Sequence, residues 1–168
     1  MKAISFAWTT PALLAGQKTM TSRFWKTDEY AQTFKIGEPI YALDTQYWLG
    51  GKPLAVIRLQ EPLYQLVPPG PWEGSAVAKT ALLLPSDWQD EGFEYMSVNR
   101  WLLDGLEPIR LWESWQANVP DRHVIRFTVE ELTDWGKTCL EAIWAFDKKY
   151  DHAVRPWTMW GYVGQPVA

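Results

Sequence analysis

Apolar and polar residues fall into short blocks along the chain, and the spacing within each block predicts an element. Ala3 to Phe6 reads as a short strand entering a buried position. Thr9 or Thr10 then caps a helical turn with Pro11 in its first position, and Gly16 ends that turn in a left-handed conformation. Thr19 to Trp25 is β-branched and aromatic with polar alternation, a strand pattern. Residues 26–38 are polar and read as a loop closed by Ile36-Gly37-Glu38-Pro39. Ile40–Leu43 and Leu54–Leu59 are apolar strands joined by the Gly50-Gly51 turn. Pro68-Pro69-Gly70-Pro71 breaks regular structure.

Farther on, Ser86 with Gln89 three residues later has the form of a capping box, so a short helix is expected from Asp87 to Gly92. Ser97–Leu103 and Ile109–Trp115 have helical spacing, whereas His123–Val129 alternates as a strand that ends the sheet. Leu132, Trp135, Cys139, Leu140, Ile143, Trp144 and Phe146 trace a helical stripe over residues 133–149. Strands on both sides of a central helical stretch predict an α+β fold with a mostly antiparallel sheet, open or closed into a barrel. The expected organisation is one domain over residues 1–131, with residues 132–168 as a C-terminal helix and tail packed on it.

Composition narrows the function. In 168 residues, 47% are hydrophobic and 21% charged, as in an ordinary globular chain, and the net charge is −4. An acidic chain is ill suited to coating long nucleic acid. No apolar run approaches a membrane span, and the opening run stops at Thr9-Thr10-Pro11. With a single cysteine, Cys139, the expectation is a soluble cytoplasmic domain without membrane contact, disulfide or obligate protein partner. The histidines, His123 and His152, lack neighbouring ligands and read as strand-start or surface residues, and no cofactor or metal is expected. Phosphate-loop, dinucleotide and serine-hydrolase motifs are absent.

Charge is unevenly distributed: residues 1–60 carry a net of +3 and residues 61–121 a net of −7. Such a division suits a small polar ligand held between the two regions, or else reflects acids solvating helices. Twelve tryptophans exceed ordinary usage. Most belong in a core, while a few can serve as stacking platforms. Trp8, Trp25 and Trp48 fall near the segments expected to form a cleft.

Gly16-Gln17-Lys18-Thr19-Met20-Thr21-Ser22-Arg23 gathers a glycine turn, a lysine, two threonines and an arginine at the head of a strand. In an extended strand Thr19, Thr21 and Arg23 share a face. Lys18, sitting in the turn, can reach Thr21, and a lysine kept neutral by desolvation can take the proton of a threonine hydroxyl. The same spacing equally describes a strand start with a solvated lysine and a threonine ladder.

This segment resembles the Gly-x-Lys-Thr-x-Thr-x-Arg signature of the ASCH family, small mixed β-barrels of the PUA-like fold with a helical insert. Phe34–Ala42, Gly51–Arg58, the Asp90-Glu91-Gly92-Phe93 turn and His123–Val129 are similar to later features of that family in the same order. The resemblance covers residues 3 to about 130. It implies recognition of RNA or of a nucleoside or nucleotide, with Thr19 and Arg23 as ligand contacts. In one branch it implies hydrolysis of the amide of N4-acetylcytidine, with Thr21 as nucleophile, Lys18 as base and Glu91 orienting the lysine or relaying a proton; another branch is described as metal-dependent ribonucleases. On that reading, Lys18→Ala is expected to abolish turnover and leave the fold intact. A Trp-rich protein–protein adaptor is a third reading.

Overall fold

The computed structural model describes residues 1–25, 27–66, 78–80, 86–117, 122–149 and 155–157. In chain order the elements are β1 (Lys2–Ser5), a 3-10 turn (Ala7–Thr9), α1 (Thr10–Leu14), β2 (Met20–Arg23), α2 (Asp28–Gln32) and β3 (Pro39–Leu43). A second 3-10 turn (Tyr47–Leu49), β4 (Pro53–Leu59), β5 (Tyr64–Leu66) and β6 (Ala78–Thr80) follow. Then come α3 (Asp87–Asp90), α4 (Phe93–Val98), β7 (Trp101–Leu103), α5 (Pro108–Ala117), β8 (Arg122–Leu132), α6 (Asp134–Lys149) and β9 (Arg155–Trp157).

Strand β8 is the spine of a mixed, curled half-barrel sheet. Its eleven residues are long enough to pair with β2 through residues 123–126, with β5 through 122–124 and with β4 through 127–132. Strand β3 extends the sheet beyond β4, and β1 lies parallel to β3 at the edge. Strands β5 and β6 are also parallel, as are β7 and β9 in a separate two-stranded ribbon. The fold thus mixes helices with a sheet that is mostly antiparallel, as expected, with parallel pairs at β1–β3 and β5–β6.

Cross-strand partners share a face, so Thr21 and Ile125 lie on one side of the β2–β8 pair and Ser22 and Val124 on the other. Ile125 and Phe127 join the main core with Phe6, Leu13, Ile40, Leu54, Ile57 and Phe93. Trp101 and Trp112 are buried in this core, and Trp8, Trp25, Trp88 and Trp135 pack against it. Helix α6 seals the β4 side. Gly136 lets its backbone approach so closely that a Cβ there would lie 1.9 Å from the Leu54 carbonyl oxygen. Thr133 caps the helix, accepting from the Gly136 amide at 3.0 Å while donating to the Pro53 carbonyl at 2.5 Å. The C-terminal helix thus packs on the same body as the sheet.

Several local expectations are corrected. Residues 28–32 form a helix, started by Thr27 with Asp28 and Glu29 in its first turn. Five residues are too few for a helical period to register. Ser86 sits at the start of α3 in a helical conformation, and its side chain makes no capping bond. The helix expected over Ser97–Leu103 begins earlier, at Phe93, and stops before Arg100, whose φ is +57°. Residues 101–103 are a strand because β9, more than fifty positions away, supplies their partner. His123 takes the strand-start alternative, as the second residue of β8, and is fully buried there. Trp144, placed by periodicity in the α6 stripe, is 59% exposed because Gly136, Cys139 and Ile143 define the inward face. The proline-rich segment at 68–71 lies outside the described residues.

Candidate functional site

Parallel pairing of β1 with β3 brings the ends of both strands to one side of the sheet, where the Phe6 amide donates to the Leu43 carbonyl at 2.9 Å. Ser5 and Phe6 leave β1 there, and Gln46 follows β3 in the next turn. Arg23, the last residue of β2, and Glu91, between α3 and α4, complete a pocket of about 200 Å3 lined also by Ala7, Trp8 and Thr9. Its size fits a single small ring system better than a strand of nucleic acid.

At the pocket wall, Glu91 is bound on both oxygens. Lys18 Nζ donates to Oε2 at 2.6 Å and also to the Glu91 backbone carbonyl at 2.6 Å, while the Ser22 amide donates to Oε1 at 2.7 Å. Lys18 and Glu91 are each only 1% exposed. Burial lowers the lysine pKa from 10.5 to about 8, and the attraction of Glu91 offsets part of that loss. Lys18 is therefore no solvated strand-start residue. Because β2 begins at Met20, Lys18 precedes the regular strand and is free to turn toward the helical segment.

Glu91 is held in place by the docking of α3. The Thr19 amide donates to the Asp90 carbonyl at 2.9 Å, and Thr19 Oγ1 donates to Asp90 Oδ1 at 3.4 Å. Arg126 on β8 clamps the same helix, with Nη2 on Asp87 at 2.5 Å and Nη1 on Asp90 at 2.9 Å. Gly92 follows with φ of +88°, and a Cβ at this position would lie 2.6 Å from that of Ala12. Only glycine combines the left-handed backbone with this approach. The acidic middle of the chain thus meets the basic first third at Lys18–Glu91 and the last third at Arg126, and does more than solvate helices.

The face of Phe6 carries two cations, with Lys18 Nζ 5.8 Å and the Arg23 guanidinium carbon 5.4 Å from the ring centroid. Arg23 donates through Nη1 to the Ser22 carbonyl at 2.9 Å and through Nη2 to the Ser5 carbonyl. Burial pulls its pKa down to about 10, an effect that Glu91 opposes. Arg122 reaches Ser22 Oγ at 3.4 Å, and burial lowers its pKa as well.

Of the residues singled out from sequence, Trp8, Arg23 and Glu91 line the pocket, and Lys18 lies directly behind Glu91. Thr21 is fully buried in β2 and does not line the pocket, and its hydroxyl has no hydrogen-bond partner. Thr19 is engaged by Asp90, away from the pocket lining. Trp25 belongs to a separate aromatic cluster, stacked on Phe34 at 4.9 Å and packed against Tyr30 and His123. Trp48 is 77% exposed on the turn after Gln46. Trp8 donates its indole N–H to Asp104 and presents the rest of the ring to the wall. Sequence reasoning missed Gln46, Arg126 and Asp87, which carry no motif. Their roles follow from the way β8 and α3 meet.

Among the described residues no group of three or more His, Cys, Asp or Glu side chains is placed to hold a metal, and no helix is long and apolar enough to cross a membrane. No protein-family model matches the chain, and no curated protein matches it. Among solved structures, a protein of Enterococcus faecalis V583 described by the family model DUF984 aligns with 76% of this chain and 73% of its own. The identity is 19% and the TM-score 0.41, too loose a superposition to carry fold or function across.

Proposed function

We propose that this chain is a PUA-like, ASCH-type domain that recognises a nucleoside, free or within RNA, in the pocket between β1, β2 and the α3–α4 junction. The observation that carries the reading is the wall itself: Trp8 offers aromatic surface beside Arg23 and Gln46, which offer polar edges, with Phe6 and the Glu91–Lys18 pair buried behind them. A planar base with donors and acceptors on its rim is a ligand of that description, and stacking on an aromatic face contributes about 1–3 kcal/mol. Calorimetric titration with the four common nucleosides and N4-acetylcytidine tests it. Binding is expected for at least one of them, weakened about tenfold or more in Trp8→Ala. Absence of binding throughout the panel contradicts the reading.

A second reading, hydrolysis of an acylated nucleoside, draws support from two buried groups three positions apart in the chain, the unpartnered Thr21 hydroxyl and Lys18 with its lowered pKa. In this scheme neutral Lys18 takes the Thr21 proton as Oγ1 adds to the acyl carbon, then returns it to the departing amine. Water subsequently cleaves the threonyl ester. Incubation with N4-acetylcytidine, followed by chromatography of cytidine, is expected to show turnover that Thr21→Val abolishes. Because the base must be neutral, the rate is expected to rise with pH through about 8. Turnover unchanged in Thr21→Val removes the threonine from the chemistry.

A further inference from the structure

Two of the charged residues lining or backing the pocket neutralise each other, and one does not. Glu91 has both oxygens engaged, one by the Lys18 ammonium and one by the Ser22 amide. Arg23 has no carboxylate within ion-pair distance among the described residues, and its bonds run only to two backbone carbonyls, of Ser22 and Ser5. A guanidinium carries five N–H donors, so the two bonds leave three for a ligand. Arg122 adds a second positive charge nearby, close enough for Glu91 to act on it electrostatically. Holding a cation without a directly bonded carboxylate in a largely buried wall is costly, and Glu91, acting at a distance, offsets only part of that cost.

Resting on the nucleoside reading above, we infer that the ligand bears a phosphate and that Arg23 is the residue selecting the nucleotide over the free nucleoside. A phosphate oxygen presents lone pairs matching the remaining guanidinium donors, and a fork of donors holds such a group better than a point charge does. The nearby Lys18 ammonium is turned to Glu91, so discrimination falls to Arg23. The surrounding aromatic wall lowers the local dielectric and strengthens that interaction.

The test compares each nucleoside with its 5′-monophosphate by calorimetry on the full chain, with inorganic phosphate as a third arm. The wild type is expected to bind a nucleotide about 10- to 100-fold more tightly than its nucleoside, the range a hydrogen bond to a charged group supplies. That ratio is expected to shrink as salt rises. In Arg23→Gln the ratio is expected to approach one, and in Arg23→Lys to be partly kept, whatever happens to absolute affinity. Equal wild-type affinity for nucleoside and nucleotide overturns this inference and leaves the nucleoside reading standing. Binding of neither overturns both. Inorganic phosphate binding as tightly as any nucleotide overturns the assignment to a nucleotide. Should Arg23→Gln fail to fold, the wild-type ratio and its salt dependence decide the question alone.

Discussion

Glu91 divides its two oxygens between a cation and a backbone amide, and neither it nor Lys18 touches solvent appreciably. Truncating one member of such a pair leaves the other charged and buried, which costs about 3–5 kcal/mol. Lys18→Ala is therefore expected to lower the urea midpoint strongly, contrary to the expectation from sequence that it leaves the fold intact. The paired change Lys18→Met with Glu91→Leu is expected to recover much of the loss, short of the bond to the Ser22 amide. Additive losses in this double-mutant cycle contradict the pairing. The lysine also leaves a pH signature. Its folded pKa of about 8 lies below the ordinary 10.5, so between those values the unfolded chain holds a proton that the folded chain has released. Stability from this group then rises with pH across that window. The difference in unfolding free energy between wild type and Lys18→Met, followed from pH 7 to 10.5, is expected to move in favour of the wild type. A flat difference contradicts the burial of the ammonium. The residue types Lys18, Thr21, Arg23 and Glu91 were legible in the sequence as a chemically suggestive set. The Lys18–Glu91 pairing was expected only through the family resemblance, because the two segments lie 73 positions apart and nothing local in either announces the other.

Helix α3 is a single turn and has no stability of its own. It is positioned by Arg126 from β8 and by the Thr19 amide from the approach to β2. Gly92 then directs the chain into α4 through a left-handed residue against Ala12. Gly92→Ala is expected to displace Glu91 from the Ser22 amide, seen as loss of the Ser22 amide's protection from hydrogen exchange. Retained protection contradicts the role given to the glycine. On the opposite side, Gly136→Ala forces α6 away from Leu54 and is expected to cost about 1–3 kcal/mol in thermal or urea unfolding. An unchanged midpoint contradicts the close contact. Strong apolar runs, such as Leu54–Leu59 and Ile40–Leu43, announced their strands because their buried positions are apolar and turn residues bound them. Short elements did not: α2 is set by its cap, and β7 by a distant partner, neither of which a local window contains.

Across the whole molecule, one long strand organises the fold. Strand β8 carries β2 on one edge and β4 with β5 on the other, so the basic first third and the acidic middle meet around its first half. The uneven charge visible in the sequence becomes one buried pair in space, Lys18 with Glu91, while Arg126, from the last third, pairs with Glu61, Asp87 and Asp90. The surplus of tryptophan resolves in part into core, with Trp101 and Trp112 buried, and in part into the wall formed by Trp8. How β1, β2, β3 and the α3–α4 junction converge on one pocket depends on parallel pairing and on contacts distant in sequence. That convergence was the least legible feature. The claim resting on it is that the pocket is where a nucleoside binds. Nuclear magnetic resonance titration of the 15N-labelled chain with the tightest-binding nucleoside tests it most directly. The account expects saturable shifts at the Trp8 indole, the Gln46 side-chain amide, the Arg23 Nε–H and the Ser22 amide. Shifts confined to the Trp25 cluster or the Trp48 turn, or none at all, would contradict it.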